Sequence, residues 1–153
     1  ALAAAAAVEG ADRSPAPLLP PPALAAAAAL ADEAPPLLAP AYLDELAGAL
    51  PAADVARLVA MADDSLRGNA ARVGEAWRDD DPAAAAAAAH RLAGVAGSYG
   101  LPALRAVAKA LETAARAEDR ATVATLLTGL DTLTEDSIRA LDGWCAGQMG
   151  PPG

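Results

Sequence analysis

DDDPAAAAAAAHRLAGVAGSYGLP, residues 79–102, contains both end signals of one helix and the only histidine of the chain, His90. Asp81 followed by proline is a strong helix start, because the carboxylate can cap free backbone N–H groups and proline lacks the first of them. Alanine is the best helix former, so the alanine run favours continuation of the helix. Gly100 with a proline two residues later ends it. The stretch predicts a helix over 82–98 that turns at once into another helix.

Apolar residues at spacings of three and four continue on both sides of this stretch. They predict a short helix over 41–50 and longer helices over about 52–78, 102–117 and 119–145. Because the connections are short, consecutive helices must be antiparallel neighbours. The predicted fold is all-α, an antiparallel four-helix bundle with 41–50 as a short accessory N-terminal helix that acts as a lid.

Composition divides the chain into three regions. Residues 1–40 hold eight of the 13 prolines and predict an Ala/Pro-rich linker, with short helix-forming alanine stretches at 1–8 and 23–31. Residues 41–146 form the predicted bundle, and 147–153 a flexible tail. The chain starts without Met, so we expect it to be a fragment of a longer protein.

Charge and cysteine content exclude several functions. The chain has 20 acidic and 11 basic residues and a net charge of −9, which argues against nucleic acid and against an anionic membrane surface as partners. Membrane insertion is not expected, because each long apolar run is interrupted by proline or charge. The lone Cys145 suits a reducing compartment, so we expect a cytoplasmic protein. We also expect a monomer.

His90 is the candidate chemical group, since an imidazole is nucleophilic and largely neutral near pH 7. With the chain folding back near residue 101, position 90 lies level with Glu112 on the next helix. A carboxylate there would accept a hydrogen bond from the Nδ1–H, fix the tautomer and leave the Nε2 lone pair facing outward.

Small residues surround this histidine on its own helix. Gly94 and Gly97 follow it by one and two turns, and Ala86 and Ala87 precede it by one turn. Two glycines inside a helix, each costing about 1 kcal/mol relative to Ala, need a reason. One interpretation is a low surface on which another protein docks, and the other is close packing between helices.

Charged residues line one face of the following helix. Arg105, Lys109 and Arg116 share this face with Glu112 at spacings of four, three and four. They could compensate the charge of a phosphoryl group on His90. The alternative is an ordinary solvated face.

Together these residues resemble the histidine-containing phosphotransfer (HPt) domain of two-component phosphorelays. The resemblance covers about residues 39–146 and rests on the segment Ala89-His90-Arg91-Leu92-Ala93-Gly94, on Gly100 and on the pair Leu111-Glu112. It implies a phosphocarrier that accepts a phosphoryl group on His90 from a receiver-domain aspartyl phosphate and passes it to another receiver. It also implies no cofactor and no autonomous catalysis, with Mg²⁺ held by the partner receiver. The linker is similar to the joint before the C-terminal module of a bacterial hybrid sensor histidine kinase.

One position departs from the family pattern. The family commonly has Lys three residues after the histidine, and here that residue is Ala93. We expect Lys109, level with Ala93 across the helix pair, to replace the charge, with Arg91 as the second candidate. No metal site is expected, because Asp79–Asp81 do not converge on one point and fit a helix cap better.

Two other functions compete with the phosphocarrier. The chain could be a helical interaction module that binds a signalling partner without taking up phosphate, an alternative that the missing Lys favours. It could also be an enzyme using His90 as acid or base, which the lack of other catalytic side chains disfavours. Acid-labile labelling at His90 by a phosphorylated receiver separates the first two.

Overall fold

The computed structural model describes residues 35–149, and this part of the chain forms five helices and no strand. The helices are α1 (Pro40–Ala49), α2 (Ala52–Arg78), α3 (Pro82–Ser98), α4 (Pro102–Arg116) and α5 (Arg120–Gln148). The predicted helices are confirmed to within one residue at every end except the last. The predicted linker falls mostly outside the described residues, as do residues 150–153 of the predicted tail.

The last helix continues three residues beyond its predicted end. Trp144 and Cys145 lie partly buried against the core, so packing holds this turn of α5 in place although Gly143 and Gly147 flank it. Gly147 and Gln148 are therefore helical, so α5 includes the first two residues of the predicted tail.

The four long helices form a closed ring of contacts. Helix α2 packs on α3 and α5, and α4 packs on the same two helices from the other side. The fully buried large side chains between them are mostly leucines: Leu66, Leu92, Leu104, Leu111, Leu126, Leu130, Ile138 and Leu141. This arrangement confirms the all-α bundle, and it leaves each long helix with one outward face.

The three turns between the long helices share one backbone design. Each has one residue in the left-handed region, namely Asp80 (φ 59°), Gly100 (φ 66°) and Glu118 (φ 52°). In each turn the following N–H donates to a carbonyl five residues earlier at 2.9 Å (Asp81 to Ala76, Leu101 to Ala96, Asp119 to Ala114). This is the Schellman ending of a helix, which glycine fits best because it has no Cβ. The sequence predicted such a turn only at Gly100.

Side-chain caps then start the next helix. The Asp81 carboxylate accepts a hydrogen bond from the Ala84 N–H at 3.0 Å, which confirms the predicted cap of α3. Asp119 does the same for α5 by accepting from the Thr122 N–H at 3.2 Å. In these turns the Schellman ending of one helix and the N-cap of the next are only a residue or two apart. The turns therefore hold the paired helices in a fixed register.

Helix α1 covers the end of the bundle at the α3–α4 turn, as the prediction of a lid required. The Tyr42 hydroxyl donates to the Ser98 carbonyl at 2.9 Å, and the Trp144 indole N–H donates to Asp44 at 3.0 Å. Leu43 is fully buried and lies against Gly100.

Candidate functional site

His90 lies in the middle of α3 with its ring largely in solvent. Its Nδ1 is 3.2 Å and 3.3 Å from the two carboxylate oxygens of Glu112 on α4. The His90 side chain is 71 % exposed, whereas that of Glu112 is 10 % exposed. The predicted juxtaposition of these two residues is confirmed. It follows from the Gly100 turn, which fixes how α3 and α4 fold back on each other.

The contact fixes the chemistry of the two ring nitrogens. A carboxylate oxygen can only accept a hydrogen bond, so this contact favours the tautomer of a neutral imidazole in which Nδ1 carries the proton. The lone pair is then on Nε2, and the exposed ring leaves it accessible from solvent. This arrangement can present a nucleophile, and the buried Glu112 can stabilise positive charge that develops on the ring.

Arg116 holds the carboxylate in place. Its Nη1 lies 2.6 Å from Oε2 of Glu112, one turn earlier on the same helix. A nearly buried carboxylate needs partners for its charge, and here one cation and one imidazole N–H supply them. Arg116 thus contacts the site through Glu112, in agreement with the predicted cationic neighbour.

The other predicted cations have different positions. Arg105 lies over Gly97, where an added Cβ would be 3.1 Å from its Cδ and Nε atoms. Lys109 is exposed and lines a groove on the outer face of α4, away from the groove that contains His90. Arg91 does line the His90 groove. Arg91 and Lys109 are the two candidates to replace the positive charge of the Lys that is absent at position 93, and of these Arg91 shares a groove with His90.

The four residues of the predicted docking surface differ in exposure. Gly94 is exposed, with nothing within 4 Å of an added Cβ, and Ala87 is exposed as well. Ala86, in contrast, is buried at 3 % exposure, and Gly97 is covered by Arg105. Ala86 and Gly97 therefore do not lie on an open surface, because Ala86 packs in the core and the Arg105 side chain covers Gly97.

The physical reason is where His90 stands on its helix. Residues four apart are rotated by about 40° around a helix axis, and residues seven apart by about 20° in the other direction. His90 lies at the edge of the exposed stripe of α3, so Ala86 and Gly97 fall on the side of Glu112 and α4. Ala87 and Gly94 fall on the solvent side.

A groove of about 590 Å³ runs beside His90 between α2 and α3. Sequence reasoning missed the contribution of α2, which supplies Ser65 and Asn69 to the lining. Asn69 is buried; its Nδ2 donates to the Ser65 carbonyl at 2.9 Å, and its Oδ1 has no hydrogen-bond partner. A polar residue at a core-facing position of α2, between Leu66 and Val73, was the signal available in the sequence.

The acidic run before α3 is structural. Asp81 caps α3, and Asp80 pairs with Arg120 at the start of α5. Over residues 35–149, no three His, Cys, Asp or Glu side chains are grouped so as to hold a metal ion.

The most perturbed carboxyl group lies between α2 and α5. Burial and then the negative charge of Asp142 raise the pKa of Asp63 to about 6, against the opposing effect of Arg67. One oxygen of Asp63, Oδ1, is buried without a hydrogen-bond partner. Asp63 thus lies beside Asp142 with its pKa raised from 3.8 to about 6.

Comparison with known proteins gives one match. The family model described as Hpt domain matches residues 38–143, which is well over half of the chain and includes His90, Glu112 and Arg116. Neither the curated proteins nor the solved structures give a significant match. Within the described residues, no helix combines the length and apolar character needed to cross a membrane.

Proposed function

The chain belongs to the Hpt domain family, whose members act in histidine phosphotransfer in phosphorelays, and on that premise we propose that His90 is the phosphoacceptor. Hpt domains interact with receiver domains and carry phosphoryl groups without autonomous catalysis. The observation that supports His90 is its contact with Glu112, because it joins an exposed imidazole to a nearly buried, Arg116-held carboxylate.

In the proposed reaction, the Nε2 lone pair of His90 attacks the phosphorus of a receiver aspartyl phosphate. The new N–P bond forms as the acyl-phosphate P–O bond breaks, and the receiver carboxylate leaves with the bonding electrons. The proton stays on Nδ1, so the ring becomes a phosphorylated imidazolium whose positive charge faces Glu112. The receiver would supply Mg²⁺ and backbone donors for the in-line transfer. Transfer to a second receiver is the same step in reverse.

We propose that Arg91, rather than Lys109, supplies the positive charge that the family's usual Lys would provide at position 93. Arg91 lines the His90 groove, whereas Lys109 lines the groove on the outer face of α4. Arg91→Ala should slow transfer by about tenfold, a loss of about 1.4 kcal/mol, and Lys109→Ala should leave it unchanged. A slower Lys109→Ala with normal Arg91→Ala would reverse the assignment.

The main experiment incubates the chain with a ³²P-phosphorylated receiver and Mg²⁺. Acid-labile label should appear on the parent chain and be absent from His90→Gln. Glu112→Ala should slow labelling at least tenfold, about 1.4 kcal/mol of barrier, whereas Glu118→Ala, an exposed Glu on the α4–α5 turn, should not. Receiver binding by the parent without label, across a panel of receivers, would instead support an interaction module.

A further inference from the structure

A second groove lies on the outer face of α4, and none of the residues that line it belongs to the His90 groove. It has a volume of about 700 Å³ and follows α4 from Pro102 to Ala117. Its floor is formed mainly by small side chains, among them Ala106, Ala110 and Ala114, and Arg105 and Lys109 line it as well. Such a surface admits the close approach of another small-residue helix.

One wall of this groove is the start of the described chain itself. Pro35 lines it beside Pro102, and the Ala103 N–H donates to the Pro36 carbonyl at 3.0 Å. Pro35, the first described residue, therefore lies at one mouth of the groove. A tether this short gives the preceding residues an effective concentration of about millimolar at the groove.

The residues before Pro35 match the groove in size and composition. Residues 23–34 read ALAAAAALADEA, an alanine-rich segment with high helix propensity. Residues 23–31 as a helix would be about 14 Å long, and residues 32–34 as extended chain would add about 10 Å, against about 22 Å for α4 between Pro102 and Ala117. An alanine face on an alanine floor permits close helix packing.

The charges also match at the mouth where the segment is tethered. Arg105 and Lys109 lie about 4.5 Å and 10 Å along α4 from Pro102. Asp32 and Glu33 precede Pro35 by three and two residues, so extended chain can carry them up to about 10 Å into the groove. Among residues 35–149, neither cation of the groove forms a salt bridge.

We propose that this groove binds residues 23–34 of its own chain, antiparallel to α4, with Asp32 and Glu33 facing Arg105 and Lys109. The contact covers the outer face of α4 and engages Lys109. It does not depend on whether His90 accepts phosphate.

Spin labelling of the full chain tests the contact. A nitroxide is attached at Ala26→Cys in a Cys145→Ala background, and amide signals are recorded at low concentration. Signals of Ala110 and Ala114 should be lost relative to the reduced label, while that of Ala60 on α2 should persist. Retention of the Ala110 and Ala114 signals would overturn the proposal.

Charge reversal supplies the matched control. Asp32→Lys with Glu33→Lys should restore the signals, whereas Asp12→Lys, outside the segment, should leave them broadened. Adding Lys109→Glu to the double reversal should broaden them again. Restoration by Asp12→Lys to the same degree would show general charge effects and contradict the specific pairing.

A mixed sample identifies the occupant. Spin-labelled chains without ¹⁵N are mixed with unlabelled ¹⁵N chains, so that only contacts between molecules broaden signals. We expect no broadening in the mixture. Broadening there as strong as in the single-chain sample would assign the groove to a second copy and overturn the intramolecular proposal.

Discussion

Gly94 allows stability and function to be separated at one position. An added Cβ there has nothing within 4 Å, and the residue is exposed inside α3. Alanine is about 0.8–1.0 kcal/mol better than glycine in a helix interior, so Gly94→Ala should raise the free energy of unfolding by close to 1 kcal/mol. The bundle therefore does not need glycine at this position.

A bulky side chain at the same position should affect only the partner. Residues four apart on a helix have Cβ atoms about 5–6 Å apart, so the ring of Gly94→Phe would stand beside His90. We expect unchanged folding and a loss of at least tenfold in transfer from a phosphorylated receiver, about 1.4 kcal/mol. The reason is steric: the phenyl ring would keep the receiver from bringing its aspartyl phosphate to Nε2, so receiver binding should weaken as well.

Gly143 is the matched control. It is also an exposed helical glycine with nothing within 4 Å, but it lies on α5, which does not form the His90 groove. Gly143→Ala and Gly143→Phe should change urea unfolding as their Gly94 counterparts do and leave transfer unaltered. Transfer at the parent rate by Gly94→Phe would refute the docking surface, and destabilisation by Gly94→Ala would refute the open geometry.

Three further predictions concern stability. Folding raises the pKa of Asp63 from 3.8 to about 6, so protonated Asp63 stabilises the fold below pH 4, and this stabilisation is lost as the pH rises to 6. Asp63→Asn should therefore be more stable than the parent by about 1 kcal/mol at pH 7, allowing for its partial solvent contact, and equally stable near pH 3.5. Urea titrations at the two pH values, with the exposed Asp64→Asn as the control, can check this. Gly100→Ala should cost about 2 kcal/mol by urea unfolding, since φ is 66° and the new Cβ would lie 3.2 Å from Leu43 Cγ; an unchanged midpoint would contradict it. Glu118→Gly should gain about 0.5–1 kcal/mol in the same assay, because Glu118 has a φ of 52°, and a loss would show that its side chain matters more than its backbone.

Much of the site could be predicted because its determinants are close in sequence. Asp81 and Gly100 fix the two ends of α3, and the Gly100 turn fixes the register of α4, so the level of Glu112 beside His90 follows from counting residues. The Schellman turns at Asp80 and Glu118 were missed because non-glycine residues there give no local signal. Asn69 was missed because α2 reaches His90 only through the packing of the bundle.

Local sequence signals specify the helices, their order and the level of His90 relative to Glu112, because caps, periodicity and short turns act over a few residues. Which side of His90 is open depends instead on how the helices pack. Its neighbours Ala86 and Ala87 differ by 100° around the axis, and one is buried while the other is exposed. The rotation of α3 that makes this difference depends on the packing of all four helices at once, and side chains such as Arg105 over Gly97 complete it.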